Sequence, residues 1–256
     1  VVQLFGSDSK HFAAAVKMID KQIKPDGYDI NFGCPVKKVL KQGAGAELMK
    51  NIPRSQEIIR SVLANTDRPL SVKIRAASGK VDALKFLDSI SGLGVSAVMI
   101  HGRTLAQGFV GEIDCQIIKA ARQYFGGIIL ANGGLNSPAD IKKVLEESEA
   151  DGVGLARGIL GRPWLFDKKI YKKYAAAPAA DFYAAAPVDM IIKTALQQAK
   201  LSEKLKGREG IIELRKHLCW YVIGQPGARQ LREALVKTES FAEIKKIFSG
   251  YKKAAS

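Results

Sequence analysis

The sequence predicts an α/β fold with a parallel sheet, followed by a small helical bundle. Over the first 170 residues, apolar runs of four to six residues alternate with segments of helical periodicity. Such alternation is typical of β-α units, whose strands lie parallel. The runs are almost continuously hydrophobic, as expected for a sheet that is buried on both faces. After residue 187 no convincing strand occurs, so the remainder is predicted to be helical.

Six strands and five helices are predicted in the α/β part. Ser137 and Pro138 suit the N-cap and the first position of the last helix, and Asp140 adds a negative charge to its first turn. The strands are Val1–Phe5, Tyr28–Phe32, Leu70–Ile74, Ala97–His101, Gly127–Ala131 and Gly152–Leu155. The helices between them are His11–Lys24, Arg54–Ala64, Val81–Leu93, Cys115–Tyr124 and Ser137–Glu147.

The strand count favours a (β/α)8 TIM barrel that lacks its first two strands in this chain. Such a barrel needs about 250 residues and eight strands, whereas six strands are predicted here. The chain begins within a strand-like run at Val1, without an initiating methionine. We therefore expect an N-terminally incomplete barrel rather than a six-stranded one. An open doubly wound sheet is the alternative, but no GxGxxG fingerprint follows any strand.

The predicted domains are a catalytic barrel over residues 1–170, a linker over residues 171–187 and a helical domain over residues 188–256. Short alanine runs and two prolines between Ala175 and Pro187 indicate the linker. The helices predicted after it are Met190–Leu205, Glu209–Tyr221, Ala228–Val236 and Phe241–Phe248.

The composition is that of an ordinary globular protein, with 47% hydrophobic and 25% charged residues in 256. No run approaches the roughly 20 apolar residues that cross a bilayer, and the start lacks the basic flank of a signal peptide. A cytoplasmic protein without membrane contact is therefore expected. The three cysteines and three histidines are scattered, which argues against a disulfide framework and against a metal site.

The net charge of +15 is the main pointer to a partner. Such an excess attracts polyanions, and RNA or DNA is the first partner to consider. A solvated basic surface without a specific partner explains the charge equally well.

Polar side chains stand at the end of each predicted strand, where active-site residues of a barrel belong. Any one of these residues could be an ordinary surface Lys or Arg or a hydrogen-bonded His, so it is their joint occurrence that predicts an active site. They are Gln3, Asn31, Cys34, Lys73, Arg75, His101, Arg103, Asn132 and Arg157, and the glycines Gly133, Gly134 and Gly158 accompany the last two.

Cys34 is the reactive group among them. A cysteine thiol in water has a pKa of about 8.5, so it can serve as a proton donor as readily as a nucleophile. The alternative is a buried structural cysteine. The glycine turns at Asn132–Gly134 and Arg157–Gly158 stand where barrels often bind phosphate. With Lys73 and the Gln3 amide they suit FMN, although a sugar phosphate fits the phosphate site as well.

Several motifs occur in the order seen in the FMN-dependent tRNA-dihydrouridine synthases of bacterial type, which the chain resembles over nearly its whole length. They are DINFGCPVKKVLKQGAGAELMK, SVKIR, IHGRT, LANGG and GLARGILGRPWLF. A later segment, RKHLCWYVIGQPGARQLR, is similar to the signature of that family's helical C-terminal domain.

The resemblance implies a reaction and a set of residue roles. Reduced FMN would pass hydride from N5 to C6 of a uracil in tRNA while Cys34 protonates C5, and NADPH or NADH would reduce the flavin again. Asn31, Lys41 and Arg103 would contact the substrate. Gln3, Lys73 and His101 would contact the flavin, with Asn132, Gly133, Gly134, Ala156 and Arg157 at its phosphate end. A monomer on tRNA is the simplest expectation.

Three features depart from that family's pattern. Ala156 replaces a usual glycine, Gly134 stands where an acidic residue is common, and the family's first strand with its APM-type turn has no counterpart. Two other functions therefore stay open. One is a flavin barrel enzyme that reduces a small pyrimidine or enone, and the other is a non-catalytic RNA-binding protein.

Overall fold

Six parallel strands form the main sheet. The structure is a computed structural model that describes residues 1–177 and 188–255. The sheet strands are β1 (Val2–Leu4), β2 (Tyr28–Asn31), β3 (Leu70–Arg75), β6 (Ala97–His101), β7 (Ile128–Asn132) and β8 (Gly152–Gly154), in the order β1-β2-β3-β6-β7-β8. Two short strands, β4 (Ala77–Ser78) and β5 (Val81–Asp82), form an antiparallel hairpin. The parallel sheet is confirmed. Among the described residues β1 and β8 do not pair, so the sheet is not closed into a barrel.

Each helix predicted from the sequence overlaps an observed helix within residues 1–177 or 188–255. The observed helices are α1 (Ser9–Gln22), α2 (Lys37–Lys41), α3 (Ile52–Leu63), α4 (Ala83–Ile90), α5 (Cys115–Ala120), α6 (Pro138–Ser148), α7 (Lys168–Tyr174), α8 (Val188–Tyr221), α9 (Ala228–Leu235) and α10 (Phe241–Ala255). Four 3-10 helices cover Gly45–Lys50, Ala121–Gln123, Arg157–Ile159 and Pro163–Phe166. The predicted linker overlaps the end of α7, and its residues 178–187 lie outside the described residues.

Side-chain caps fix where several helices begin. The side chains of Asp8, Asn51, Asp82, Asp114 and Asp167 accept hydrogen bonds from backbone N–H groups in the first turns of α1, α3, α4, α5 and α7. Before α6, the backbone N–H of Asp140 donates to Ser137 Oγ and that of Ser137 to Asp140 Oδ2. This reciprocal capping box confirms the predicted start of that helix.

The chain divides into two compact units. The first, here the sheet unit, comprises Val1–Gly134 and Ile141–Leu155, and the second, the helical unit, comprises Leu135–Asp140 and Ala156–Ser256. In the helical unit α8 breaks at Gly207, where φ is 58°, and its halves lie side by side, with Tyr221 Oη donating to Gln198 Oε1 at 2.9 Å. In the part of the chain that the structure describes, no helix has the length and apolar character needed to cross a membrane.

Candidate active site

The two faces of the sheet differ in chemistry, because side chains alternate along each strand. One face carries Ile30, Val72, Ile74, Val98 and Ile100, which are all fully buried. The opposite face carries polar side chains in register, with Gln3 level with Asp29 and Ser71, Asn31 level with Lys73, and Arg75 level with His101 and Asn132. The strands are thus less uniformly apolar than predicted, and the polar face gathers most of the predicted site.

A chain of hydrogen bonds joins three of these residues. Gln3 Nε2 donates to Asp29 Oδ2 at 2.6 Å, Asn31 Nδ2 donates to Gln3 Oε1 at 3.0 Å, and the backbone N–H of Gly33 donates to Asn31 Oδ1 at 3.0 Å. Ser71 Oγ donates to the other oxygen of Asp29 at 2.6 Å. Asp29 was not predicted as a site residue, although an aspartate inside an apolar strand was the available signal.

Cationic side chains dominate the middle of the polar face. Burial lowers the pKa of Lys73, with a further lowering by the charge of Arg75, while Asp29 and Cys34 act in the opposite direction. His101 is 8% exposed, and burial, then the charges of Arg75, Lys73 and Arg103, lower its pKa from 6.5 to about 4. His101 Nδ1 accepts the backbone N–H of Arg103 at 3.2 Å. The ring is therefore neutral near pH 7 and carries its proton on Nε2.

Cys34 lies half-buried just beyond β2, close enough to Lys73 and Arg75 to interact with both electrostatically. Its carbonyl accepts the N–H of Ala46 at 3.1 Å. A Cβ at Gly45, where φ is +61°, would lie 2.9 Å from Cys34 Cβ. Cys115 differs, since it is 7% exposed and burial together with Glu147 raises its pKa to about 11.

Arg75 ties two strand-end loops together, a role that sequence reasoning missed. It is 2% exposed, and it donates from Nε to the Gly33 carbonyl at 2.9 Å and from Nη1 to those of Thr104 and Gly108 at 3.0 and 3.2 Å. Arg103, predicted to contact substrate, donates from Nε to the Gly111 carbonyl at 2.7 Å. Because these partners are backbone carbonyls, no side-chain pattern reports them.

The residues predicted for the phosphate end belong partly to the sheet unit and partly to the helical unit. In the sheet unit, Asn132 Nδ2 donates to the Gly154 carbonyl at 2.6 Å, and Gly133 and Gly134 have φ of +116° and +69°. A Cβ at Gly133 would lie 3.3 Å from His101 Nε2. Ala156 and Arg157 begin the first 3-10 helix of the helical unit, and both are exposed. Lys41 is exposed at the end of α2. The contacts of all these residues with a ligand stay predictions.

The arrangement can bind an acceptor-rich, planar ligand that carries negative charge. Amide N–H groups, a lysine ammonium, a histidine N–H and a glycine turn share one face of the sheet, and a thiol stands at its edge. Among the described residues, no group of three or more His, Cys, Asp or Glu side chains is placed to hold a metal ion.

The family model and the sequence relatives agree on one family. The family model for dihydrouridine synthase matches residues 1–255. A probable tRNA-dihydrouridine synthase of Aquifex aeolicus is 30% identical over 248 residues, which is 96% of this chain and 76% of that protein. A probable tRNA-dihydrouridine synthase 1 of Synechocystis is 32% identical over 95% of this chain and 68% of its own length. The tRNA-dihydrouridine synthase B of Pseudomonas putida is 30% identical over 97% of this chain and 74% of its own length.

Proposed function

Because this chain belongs to the dihydrouridine synthase family, we propose that it reduces a uridine in tRNA to 5,6-dihydrouridine, with FMN as cofactor and NADPH or NADH as reductant. When bound, FMN supplies the hydride that adds to C6 of the uracil. The observation that carries the proposal is the placement of Cys34, the half-buried thiol beside the cationic side chains of the polar face.

The residues present fit FMN. An isoalloxazine ring offers carbonyl and ring-nitrogen acceptors, which the Gln3 amide, the Lys73 ammonium and the neutral His101 Nε2–H complement as donors. The Gly133 backbone lies so close to the His101 ring and to Ile113 that a Cβ would meet both, so only glycine fits this turn. A cation such as Lys73 suits the ring edge that becomes negative on reduction. In this proposal Asn132, Gly133, Gly134, Ala156 and Arg157 hold the phosphate end.

Cys34 donates the proton to C5 of the uracil. Lys73 and Arg75 each interact electrostatically with Cys34, so positive charge stands beside the group that gives up the proton. The missing side chain at Gly45 allows the backbone there to lie directly against Cys34. Asn31 orients the uracil edge, and Arg103 and Lys41 contact the substrate around it. A base in folded tRNA must leave its stack to reach this position.

Replacing Cys34 tests the proposal. We expect Cys34→Ala to bind FMN and tRNA normally and to lose dihydrouridine formation, measured by mass analysis of unmodified tRNA after incubation with FMN and NADPH. Cys115→Ala is the control, because that thiol is buried away from the polar face, and it should retain activity. Normal product formation by Cys34→Ala would overturn the proton-donor role.

The wild-type protein in the same assay tests the wider proposal. Reduction of a free pyrimidine or an enone, with tRNA left unmodified, would favour the small-molecule flavin enzyme instead. A colourless protein that takes up no FMN would favour a non-catalytic RNA-binding protein.

A further inference from the structure

We propose that Asp29 is a positioning residue that anchors the hydrogen-bond chain through Gln3 and Asn31, so that both amides hold N–H donors toward ring carbonyl oxygens of the ligands. The inference rests on the proposed function, in which Gln3 faces the flavin and Asn31 faces the uracil. Asp29 itself contacts neither ligand.

The direction of the chain is fixed at both ends by groups with a single hydrogen-bonding role. The backbone N–H of Gly33 can only donate, so the atom of Asn31 that it contacts is Oδ1. The Asn31 NH2 group therefore points to Gln3 Oε1, and the Gln3 NH2 group points to Asp29. An ionised carboxylate can only accept, which matches the direction set from Gly33.

The second oxygen of Asp29 is also engaged, by Ser71 Oγ, and the residue is 9% exposed. The hydrogen-bond chain uses one hydrogen of the Gln3 NH2 group and one of the Asn31 NH2 group. Gln3 is exposed and Asn31 half-buried, so the second hydrogen of each amide is available to an acceptor. Uracil and isoalloxazine both carry ring carbonyls, whereas cytosine offers an amino donor at C4. Both bases carry a carbonyl at C2, so an amide N–H favours uracil over cytosine where it meets C4.

Fold stability does not account for a carboxylate at this position. Burial is the main influence on Asp29 and raises its pKa, against the hydrogen bonds from Ser71 and Gln3 and the charge of Lys73. A carboxyl whose pKa is raised in the folded state favours folding only at low pH, and that contribution is lost as the pH rises through the folded-state pKa. Near neutral pH the ionised form therefore costs stability, and asparagine would avoid that cost.

Asp29→Asn tests this anchor, because it replaces the charged acceptor of the Gln3 NH2 group by a neutral amide oxygen, which accepts a weaker hydrogen bond. We expect the FMN dissociation constant, measured by flavin fluorescence, and the KM for tRNA at saturating FMN each to rise about tenfold, as for one lost hydrogen bond to each ligand. kcat should change less than KM, and the urea midpoint should not fall. Ser71→Ala, which removes only the bond to the other carboxylate oxygen, should change both constants less than about threefold.

Two double variants separate positioning from a general structural effect. Gln3→Glu with Asp29→Asn moves the carboxylate to position 3, where it accepts from both neighbouring amides, so the KM for tRNA should return to within about threefold of wild type at saturating FMN. In an Asn31→Ala background, Asp29→Asn should barely change that KM further, because it acts through Asn31.

An additive effect in the Asn31→Ala background, or an Asp29→Asn protein with unchanged constants, would overturn the inference. The FMN titration keeps this outcome separate from that of the proposed function. If the wild type binds FMN but leaves tRNA unmodified, the proposed reaction is wrong, while the effect of Asp29→Asn on FMN affinity still decides whether Asp29 positions Gln3.

Discussion

At the scale of single residues, the position of Cys34 depends on Gly45, which has no side chain and packs directly against it. A Cβ at Gly45 would lie 2.8 Å from the Cys34 carbonyl oxygen and 2.9 Å from its Cβ, so Gly45→Ala must shift Cys34 or the backbone that packs against it. We expect kcat for dihydrouridine formation to fall at least about tenfold, because small displacements of reacting groups slow the chemistry strongly. Single-turnover product formation at saturating FMN and tRNA measures this.

Gly92→Ala is the matched control for this variant. Gly92 also has a positive φ, +75°, but a Cβ there would meet nothing within 4 Å. Both variants should lose about 1–2 kcal/mol of unfolding free energy from backbone strain, whereas only Gly45→Ala should lose activity. Equal activities for the two variants would contradict the proposed crowding of Cys34.

His101 should make the stability of the protein sensitive to mild acid. Its pKa is lowered to about 4 in the fold, so the unfolded chain takes up the proton more readily, and stability present above about pH 6.5 is lost as the pH falls toward 4. Between about pH 7 and pH 5 the flavin-free wild type should lose about 1–2 kcal/mol more unfolding free energy than His101→Gln. Urea unfolding at both pH values measures the difference, and parallel losses would show that His101 is not the cause.

At the scale of elements, the two halves of α8 pack closely because Gly210 lacks a side chain. A Cβ at Gly210 would overlap the backbone carbonyl of Ser202, so Gly210→Ala should cost about 1–3 kcal/mol of stability by separating the halves. Gly250→Ala, in α10 with nothing within 4 Å, should instead stabilise by about 0.5–1 kcal/mol through helix propensity. Urea unfolding followed by circular dichroism compares them, and a stable Gly210→Ala protein would argue against this packing.

Elements with a clear period or cap were predictable, whereas contacts that depend on register were not. Hydrophobic periodicity predicted the six sheet strands, and the Ser137 cap predicted the start of α6. The helix predicted from Val81 begins instead at Ala83, because Val81 and Asp82 pair with β4. The Asp29 chain requires β1, β2 and β3 in one register, and the Arg75 contacts end on backbone carbonyls, so neither leaves a pattern in the sequence.

At the scale of the whole molecule, the net charge of +15 reflects a large excess of basic side chains. Some of these side chains form ion pairs with carboxylates, and others do not. Five basic residues of the helical unit are possible phosphate contacts: Arg208, Arg215, Lys216, Arg229 and Arg232. Arg208 and Arg215 bind Glu239, and Arg229 binds Glu233. Within the described chain, Lys216 and Arg232 form no ion pair. Cations without a carboxylate partner are the better candidates for tRNA, since a phosphate need not displace anything.

Lys216 can therefore be tested against a paired lysine at equal net charge. Each phosphate contact releases counterions, so the logarithm of tRNA affinity should fall linearly with the logarithm of salt concentration. Lys216→Ala should weaken binding and reduce the slope by about 0.7–0.9, as for one lost contact. Lys142→Ala, which removes a lysine paired with Glu146 in α6, lowers the net charge equally and should leave the slope unchanged. Equal slopes for the two variants would mean that tRNA senses only the overall charge.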